Sequence, residues 1–130
     1  MEYPSKNDFY LKFKAIYNKS GNFIDYELKY ISDTFYRATN INPEQILGRK
    51  FSNIVVDYTD KVGFKELYFN MIPKTNHKFE LFIKELERLY LISIFTDRSN
   101  EEDLLFIYYV DISHISQNNQ FSLIQSENTL

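Results

Sequence analysis

The side chains able to do metal, acid–base or nucleophilic chemistry are few in this chain. It contains no cysteine, which excludes a disulfide, a zinc site built on thiolates and a cysteine nucleophile. Its two histidines, His77 and His114, stand alone, and lone histidines are more often inert than ligands. No HExxH, GxSxG, GxGxxG or P-loop motif occurs. We therefore expect no metal site and no catalytic motif.

Carboxylates are more plentiful, but they gather where the sequence predicts turns. Glu85 lies near Glu87, and residues 101–103 (EED) stand between two predicted strands. Solvated charge is the ordinary reason for acidic residues in turns, and no pair of them carries an enzyme signature. We expect this domain to have no catalytic activity of its own.

One hydroxyl stands out on an otherwise apolar segment. Ser93 lies within residues 88–97 (RLYLISIFTD), which are apolar on both parities. A buried hydroxyl needs a hydrogen-bond partner, which could be a ligand, a water molecule or the backbone. Ser93 is therefore a candidate contact for a small molecule.

Length and charge narrow the function classes. A chain of 130 residues is one domain, and its 12 Phe and 11 Tyr supply ample apolar surface for a core. A net charge of −3 gives no electrostatic reason to expect a nucleic-acid partner. No stretch approaches the roughly 18 apolar residues of a membrane span, and the N-terminus lacks signal-peptide features. We expect a cytoplasmic domain without membrane insertion.

The first third of the chain predicts a β-hairpin. Residues 9–18 (FYLKFKAIYN) place apolar side chains on one parity and Lys12 and Lys14 on the other, which is typical of a half-buried strand. Residues 23–31 (FIDYELKYI) alternate in the same way. Gly21, in the turn between them, can adopt positive φ.

Short helices are predicted next. Ser32 or Asp33 can cap a helix through Ala38, and Pro43 can begin a second piece that Gly48 ends. Residues 49–57 (RKFSNIVVD) fit either a helical turn or an extended segment. A longer helix is expected between an N-cap at Thr59 or Asp60 and Pro73. Its apolar stripe would consist of Phe64, Leu67, Tyr68, Met71 and Ile72.

The last third predicts three strands, at residues 78–85, 88–97 and 103–113, with a polar loop at 98–102. The second and third are apolar on both parities, which indicates strands covered on two sides. Together with the hairpin they predict an α+β fold, a five-stranded antiparallel sheet with the helices on one face.

Several segments in this order resemble the PAS domain, a small sensory module of bacterial signalling proteins. Residues 21–30 resemble its first turn and second strand, and residues 31–35 (ISDTF) stand where the family has "VNPAF". Residues 39–49 (TNINPEQILGR) are similar to its "TG…EEL-IG-R/K" pattern, although Asn40 replaces the glycine. Residues 88–95 resemble its penultimate strand, and residues 110–113 (VDIS) its closing "DIT". The resemblance gives a flank at 1–9, a PAS domain at 10–115 and a polar linker at 116–130.

The resemblance implies a ligand pocket between the sheet and the long helix. The candidate residues are Leu28, Tyr30, Phe64, Leu67, Tyr68, Met71, Phe79, Leu81, Leu91, Ser93 and Phe95. The alternative is a filled core, because aromatic stripes at helix and strand spacing usually pack against each other.

The family's cofactors can be compared with the residues present. A cysteinyl flavin or chromophore needs a cysteine, which the chain lacks. Haem-binding members usually take a histidine from the long helix, whereas His77 follows Pro73 and His114 follows the closing tripeptide, so we expect no haem. Non-covalent flavin is compatible with the sequence, and no cofactor is assigned.

A hairpin formed by the last two strands would bring Arg88 and Asp111 together at its open end. In the resembling family this aspartate lies where the sheet passes its signal onward, so we expect an Arg88–Asp111 ion pair that couples the strand to the C-terminal segment. The alternative is an ordinary surface pair worth about 0–1 kcal/mol.

The resemblance also implies partners. We expect a homodimer, because strands apolar on both faces need a cover and a second copy is the simplest one. A C-terminal output domain, such as a histidine kinase or a diguanylate cyclase, would follow in the full-length protein. Two other functions stay open. One is a small cone-fold enzyme like ketosteroid isomerase, which begins with helices rather than a hairpin. The other is a ligand-free interaction domain.

Overall fold

The computed structural model describes residues 8–114 and contains one antiparallel sheet. Its spatial order is β2-β1-β5-β4-β3, so the N-terminal hairpin joins the C-terminal strands through β1 and β5. The predicted five-stranded sheet and α+β class are confirmed. The strands are β1 (Tyr10–Tyr17), β2 (Phe23–Ile31), β3 (His77–Ile83), β4 (Arg88–Ser99) and β5 (Glu102–Asp111).

Four short helices lie between β2 and β3, and a 3-10 turn (Lys84–Leu86) joins β3 to β4. Within residues 8–114, the buried side chains of all four helices belong to one core with the inner face of the sheet. The helices therefore cover one face, as predicted. They are α1 (Asp33–Thr39), α2 (Pro43–Ile46), α3 (Phe51–Asp57) and α4 (Phe64–Asn70).

Ser32 caps α1 and ties it to the sheet. Its Oγ accepts hydrogen bonds from the N–H of Phe35 (3.1 Å) and of Tyr10 (3.0 Å), and it is fully buried. This confirms Ser32 as the cap. Pro43 begins α2 as predicted, and the ambiguous residues 49–57 contain helix α3.

The longest predicted helix is shorter than expected. It begins at Phe64 rather than after Thr59 or Asp60, because Val62 and Gly63 have φ of +41° and +73°, which a right-handed helix does not allow. It ends at Asn70, so Ile72 lies beyond it and is exposed rather than part of the apolar stripe.

The observed ends of the last three strands also differ from the predicted ones. β3 stops at Ile83, where the 3-10 turn begins. β4 and β5 extend into the predicted loop, leaving Asn100 and Glu101 as a two-residue turn. Both have positive φ (52° and 64°), as the tight turns that suit twisted hairpins require.

The entry to α4 depends on a glycine. A Cβ added to Gly63 would lie 2.6 Å from Leu81 Cδ2 on β3, whereas one added to Gly21 in the β1–β2 turn would meet nothing within 4 Å. Both glycines have positive φ, so alanine carries the same backbone cost of about 1–2 kcal/mol at each. We expect Gly63→Ala to lower the free energy of unfolding by about 1 kcal/mol more than Gly21→Ala, measured by urea denaturation. Equal losses would mean that Leu81 moves aside freely.

Candidate functional site

Seven of the pocket candidates lie between the sheet and the helices, as predicted, but there they pack against one another. Leu28, Phe64, Leu67 and Met71 are buried to 6% exposure or less. Half-buried Tyr68, Phe79 and Leu81 pack around them. Phe51 links the helices, with its ring centroid 5.5 Å from those of Phe64 and Tyr68. These contacts describe a packed core of aromatic and aliphatic side chains.

The other four pocket candidates lie on the opposite face of the sheet, so their assignment to the pocket is wrong. On β4 it is Ile92 and Ile94 that enter the core. Leu91, Ser93 and Phe95 alternate with them and face outward. Because β4 is apolar on both parities, its pattern alone does not identify the inner face. Ser93 is paired with Tyr108 across the strands and is only half-buried.

A β-bulge explains why the sequence pattern assigned Tyr30 to the wrong face of the sheet. The β1–β2 register shifts between Lys12 and Phe13, which pair with Tyr30 and Leu28, so Lys29 is the extra residue. Leu28 and Tyr30 share a parity in sequence, yet Leu28 is buried in the core and Tyr30 is 38% exposed beside Lys12.

The outward side chains form a second apolar group, here called the outer aromatic cluster. The Phe95 ring stacks on Phe106 (centroids 5.1 Å apart) and Tyr108 (5.4 Å), and Tyr10 stacks on Tyr108 (5.7 Å). Among the described residues this cluster comprises Tyr10, Phe95, Leu104 and Phe106, with Tyr108 packed against it. All of them belong to strands, and the four residues of the cluster are buried to 8% exposure or less.

Towards the end of the sheet where β5 stops, the outer face stays apolar but becomes exposed. Val110 is 48% exposed opposite Leu91, and Phe82 is 58% exposed opposite Leu89. This exposed apolar row continues the outer aromatic cluster towards residues 111–113, where the chain leaves the sheet, here called the C-terminal exit.

The tripeptide that ends β5 is bound to the start of β4. Arg88 lies 3.5 Å from Asp111, so the expected ion pair is present. Asp111 Oδ1 accepts the N–H of Ser113 (2.9 Å), and Ser113 Oγ accepts the N–H of Leu89 (2.8 Å). The N–H of Ile112 donates to the Leu89 carbonyl (2.9 Å). The sequence pattern indicated this tripeptide, but it did not indicate that Ser113 would bind both Asp111 and Leu89.

Electrostatics favour the charged form of Asp111. Burial raises its pKa, but the Ser113 hydrogen bonds, with the nearby charges of Arg88 and His114, outweigh this effect and leave the pKa below its usual range. The pair itself is largely exposed, at 57% for Arg88 and 41% for Asp111, so it adds little stability.

The opposite end of the β4–β5 hairpin carries a second Arg–Asp pair. Asp103 accepts hydrogen bonds from Arg98 (2.7 Å) and from the Tyr17 hydroxyl (2.6 Å), and Lys74 Nζ lies 4.0 Å away. The Tyr17 hydrogen bond and these cations lower the pKa of Asp103 despite its burial, while burial and Asp103 raise that of Tyr17 to about 12. This cluster joins β1, the hairpin turn and the segment after α4.

Two buried tyrosine hydroxyls were not singled out from the sequence. Among the described residues, Tyr26 and Tyr109 have buried hydroxyls without a hydrogen-bond partner. Burial raises the pKa of both phenols, so they stay neutral. The Tyr109 ring stacks on Phe9 (4.4 Å) and meets Tyr90 edge-on (5.8 Å). A site for a small polar group in this core would be found beside these hydroxyls.

In the described part of the chain no group of three or more His, Asp or Glu side chains is placed to hold a metal ion around His77 or His114. His77 is exposed, with Nε2 3.1 Å from Asn70 Oδ1. No helix between residues 8 and 114 is long and apolar enough to cross a membrane.

Comparison with known proteins identifies the architecture. No protein-family model and no curated protein sequence matches the chain. Among solved structures it is similar to the PAS domain of an HTR-like protein from Haloarcula marismortui, with 12% identity, 82% of each chain covered and a TM-score of 0.50. The fold is that of a PAS domain. A PAS domain from a two-component sensor histidine kinase also aligns, with 18% identity over 82% of this chain and 87% of that one, at a TM-score of 0.42. At these identities the likeness concerns the PAS fold alone.

The buried hydroxyl of Tyr109 tests whether the PAS core holds a ligand. If it has no partner, Tyr109→Phe removes an unsatisfied polar group, and we expect the free energy of unfolding to stay level or rise by up to about 1 kcal/mol. The control is Tyr17→Phe, which removes the bond to Asp103 and should cost about 1–2 kcal/mol. Both would be measured by urea denaturation. A loss at Tyr109 as large as at Tyr17 would mean that a bound molecule or water satisfies its hydroxyl.

Proposed function

We propose that this chain is the sensory or regulatory PAS module of a signal-transduction protein. It acts by pairing with a second copy and by relaying its state to a C-terminal output domain of the kinase or cyclase type. The observation that carries this proposal is the exposure of Phe82 and Val110 on the outer face, beside half-buried Leu91. The domain itself is proposed to be a non-catalytic, cytoplasmic module.

A second copy is the proposed cover of the outer face. The outer aromatic cluster is itself buried, at 3–8% exposure, but the apolar face continues into Val110 and Phe82, which are about half exposed. Contiguous exposed apolar surface is typical of interaction sites. Two copies related by a two-fold axis would bury the same patch on each side. No separate partner is then needed to cover it.

Two exposed valines provide a matched test of this pairing. Val110 lies on the outer face and Val56 on α3, where it is 73% exposed on the helical side. We expect Val110→Lys to weaken dimerisation at least about tenfold, because a charge would be buried against apolar side chains. Val56→Lys should leave it unchanged. Sedimentation equilibrium measures both, and an unaltered dimer in Val110→Lys would contradict the proposal.

The second part of the proposal is the relay through Arg88 and Asp111. The closing tripeptide is hydrogen-bonded to the first residues of β4, so movement of β4 reaches the C-terminal exit directly. Arg98 is a natural control, because it forms the other Arg–Asp pair of the same hairpin and is similarly exposed.

We expect Arg88→Ala to change the regulated output of the full-length protein severalfold and Arg98→Ala to leave it near the wild-type level. The readout is the activity of the output domain with and without its stimulus. Equal behaviour of the two variants would show that Arg88–Asp111 is an ordinary surface pair.

Binding of a small ligand in the core is the second candidate function. The partnerless hydroxyls of Tyr26 and Tyr109 support it, because a ligand with a polar atom would satisfy groups that the protein leaves unpaired. The packed contacts of Phe51, Phe64 and Tyr68 favour the ligand-free module.

A further inference from the structure

The sheet has two edge strands, and residues 8–114 protect only one of them. On β2, the N–H of Leu28 donates to the Arg49 carbonyl (3.1 Å), and the N–H of Gly48 donates to the Leu28 carbonyl (2.8 Å). Lys50 adds a bridge to Glu27, and the β1–β2 register is interrupted twice. Such bulges and covering segments keep an edge from pairing with another chain.

The β3 edge has none of this protection from the described part of the chain. It pairs with β4 in unbroken register from His77 opposite Ile94 to Ile83 opposite Arg88. Between residues 8 and 114 no backbone hydrogen bond of β3 goes to any element other than β4. A regular seven-residue edge with free backbone groups is a template for a further strand.

The side chains of β3 alternate in a way that makes the strand complementary to itself. Exposed Lys78 and Glu80 point to the outer face, while half-buried Phe79 and Leu81 point inward. We propose that β3 pairs antiparallel with β3 of a second copy, about a two-fold axis that passes midway between the two copies of Phe79. This contact uses the sheet edge and is separate from the outer-face pairing proposed above.

Charge selects this register from the alternatives. In such a pair the two-fold axis is perpendicular to the sheet. The inner faces of both copies then lie on the same side only if each residue at the centre stands directly opposite its own copy. Centred on Phe79, the pairing sets Lys78 opposite the second copy's Glu80 twice. Centred on Lys78 or on Glu80, it sets like charges opposite each other, which is destabilising. Centred on Leu81, it sets Glu80 opposite Phe82 and gains no ion pair.

The pairing would extend one antiparallel sheet across both copies. Phe79 would meet its symmetry mate on the inner face, where α4 leaves it half-exposed. Because the outer-face and edge contacts have different two-fold axes, a chain using both would link dimers into an open row. This would give a PAS module two independent modes of self-association.

Charge exchange tests the proposal in the Val110→Lys background, which removes the outer-face contact. Glu80→Lys sets lysine opposite lysine, and Lys78→Glu sets glutamate opposite glutamate. We expect each single variant to self-associate about tenfold more weakly than the background protein. An equimolar mixture of the two, and the double exchange Lys78→Glu with Glu80→Lys, should restore association. The readout is sedimentation equilibrium at low salt.

No association of the background protein, or single variants that associate as well as the mixture, would overturn the edge proposal. Neither result bears on the outer-face dimer, which is judged from Val110→Lys alone in the otherwise wild-type chain.

Cross-linking gives a second, geometric readout because the chain has no cysteine. Directly opposed residues in an antiparallel pair have Cα atoms about 4.5–5.5 Å apart, within disulfide range. In the Val110→Lys background, which removes the outer-face contact, we expect Phe79→Cys to form a disulfide-linked dimer under mild oxidation. Phe82→Cys, on a more exposed residue of the same strand, would lie about 20 Å from its mate and should not. Equal cross-linking of the two variants would refute the register.

Discussion

The two central strands, β4 and β5, carry apolar side chains on both faces, and the rest of the molecule is arranged around this constraint. Four short helices cover the inner face, where Ile92 and Ile94 enter the core. The outer face has no such layer among the described residues. Its rings stack on one another and are buried, and burial of apolar surface is worth roughly 25 cal/mol per Å². Stacking cannot shield the ends of the patch, so Val110 and Phe82 stay open to a partner.

The β4–β5 hairpin carries one Arg–Asp ion pair at each of its ends, and the two pairs have different surroundings. Asp103 is nearly buried and accepts hydrogen bonds from Tyr17 and Arg98, which makes it a structural clamp. Asp111 is exposed, and its main partner is the N–H of Ser113 at the chain exit. Exposed pairs add little stability. The proposed role of Arg88–Asp111 is therefore to fix the position of the chain at the end of β5.

Much of this fold could be predicted from residue patterns. Period-two alternation predicted β1 and β2, and Ser32 or Asp33 was predicted as a cap because short polar side chains before a helix accept its free N–H groups. The inner parity of β4 could not be predicted, since its residues are apolar on both sides. The bulge at Lys29 and the positive φ of Val62 depend on tertiary contacts, which no local pattern records.

The candidate site was predicted less completely than the fold, and for a physical reason. The sequence indicates which residues are apolar, but partners decide which polar groups are satisfied. Tyr109 looks like any aromatic core residue until its hydroxyl is seen to lack a partner among the described residues. Its ring meets Tyr90, and Tyr90 lies opposite Asp111 in the β4–β5 register. Because closely packed interiors transmit strain, a change at Tyr109 would reach the Arg88–Asp111 pair within two side-chain contacts. This short route from the core to Asp111 is the physical basis of the relay that we propose.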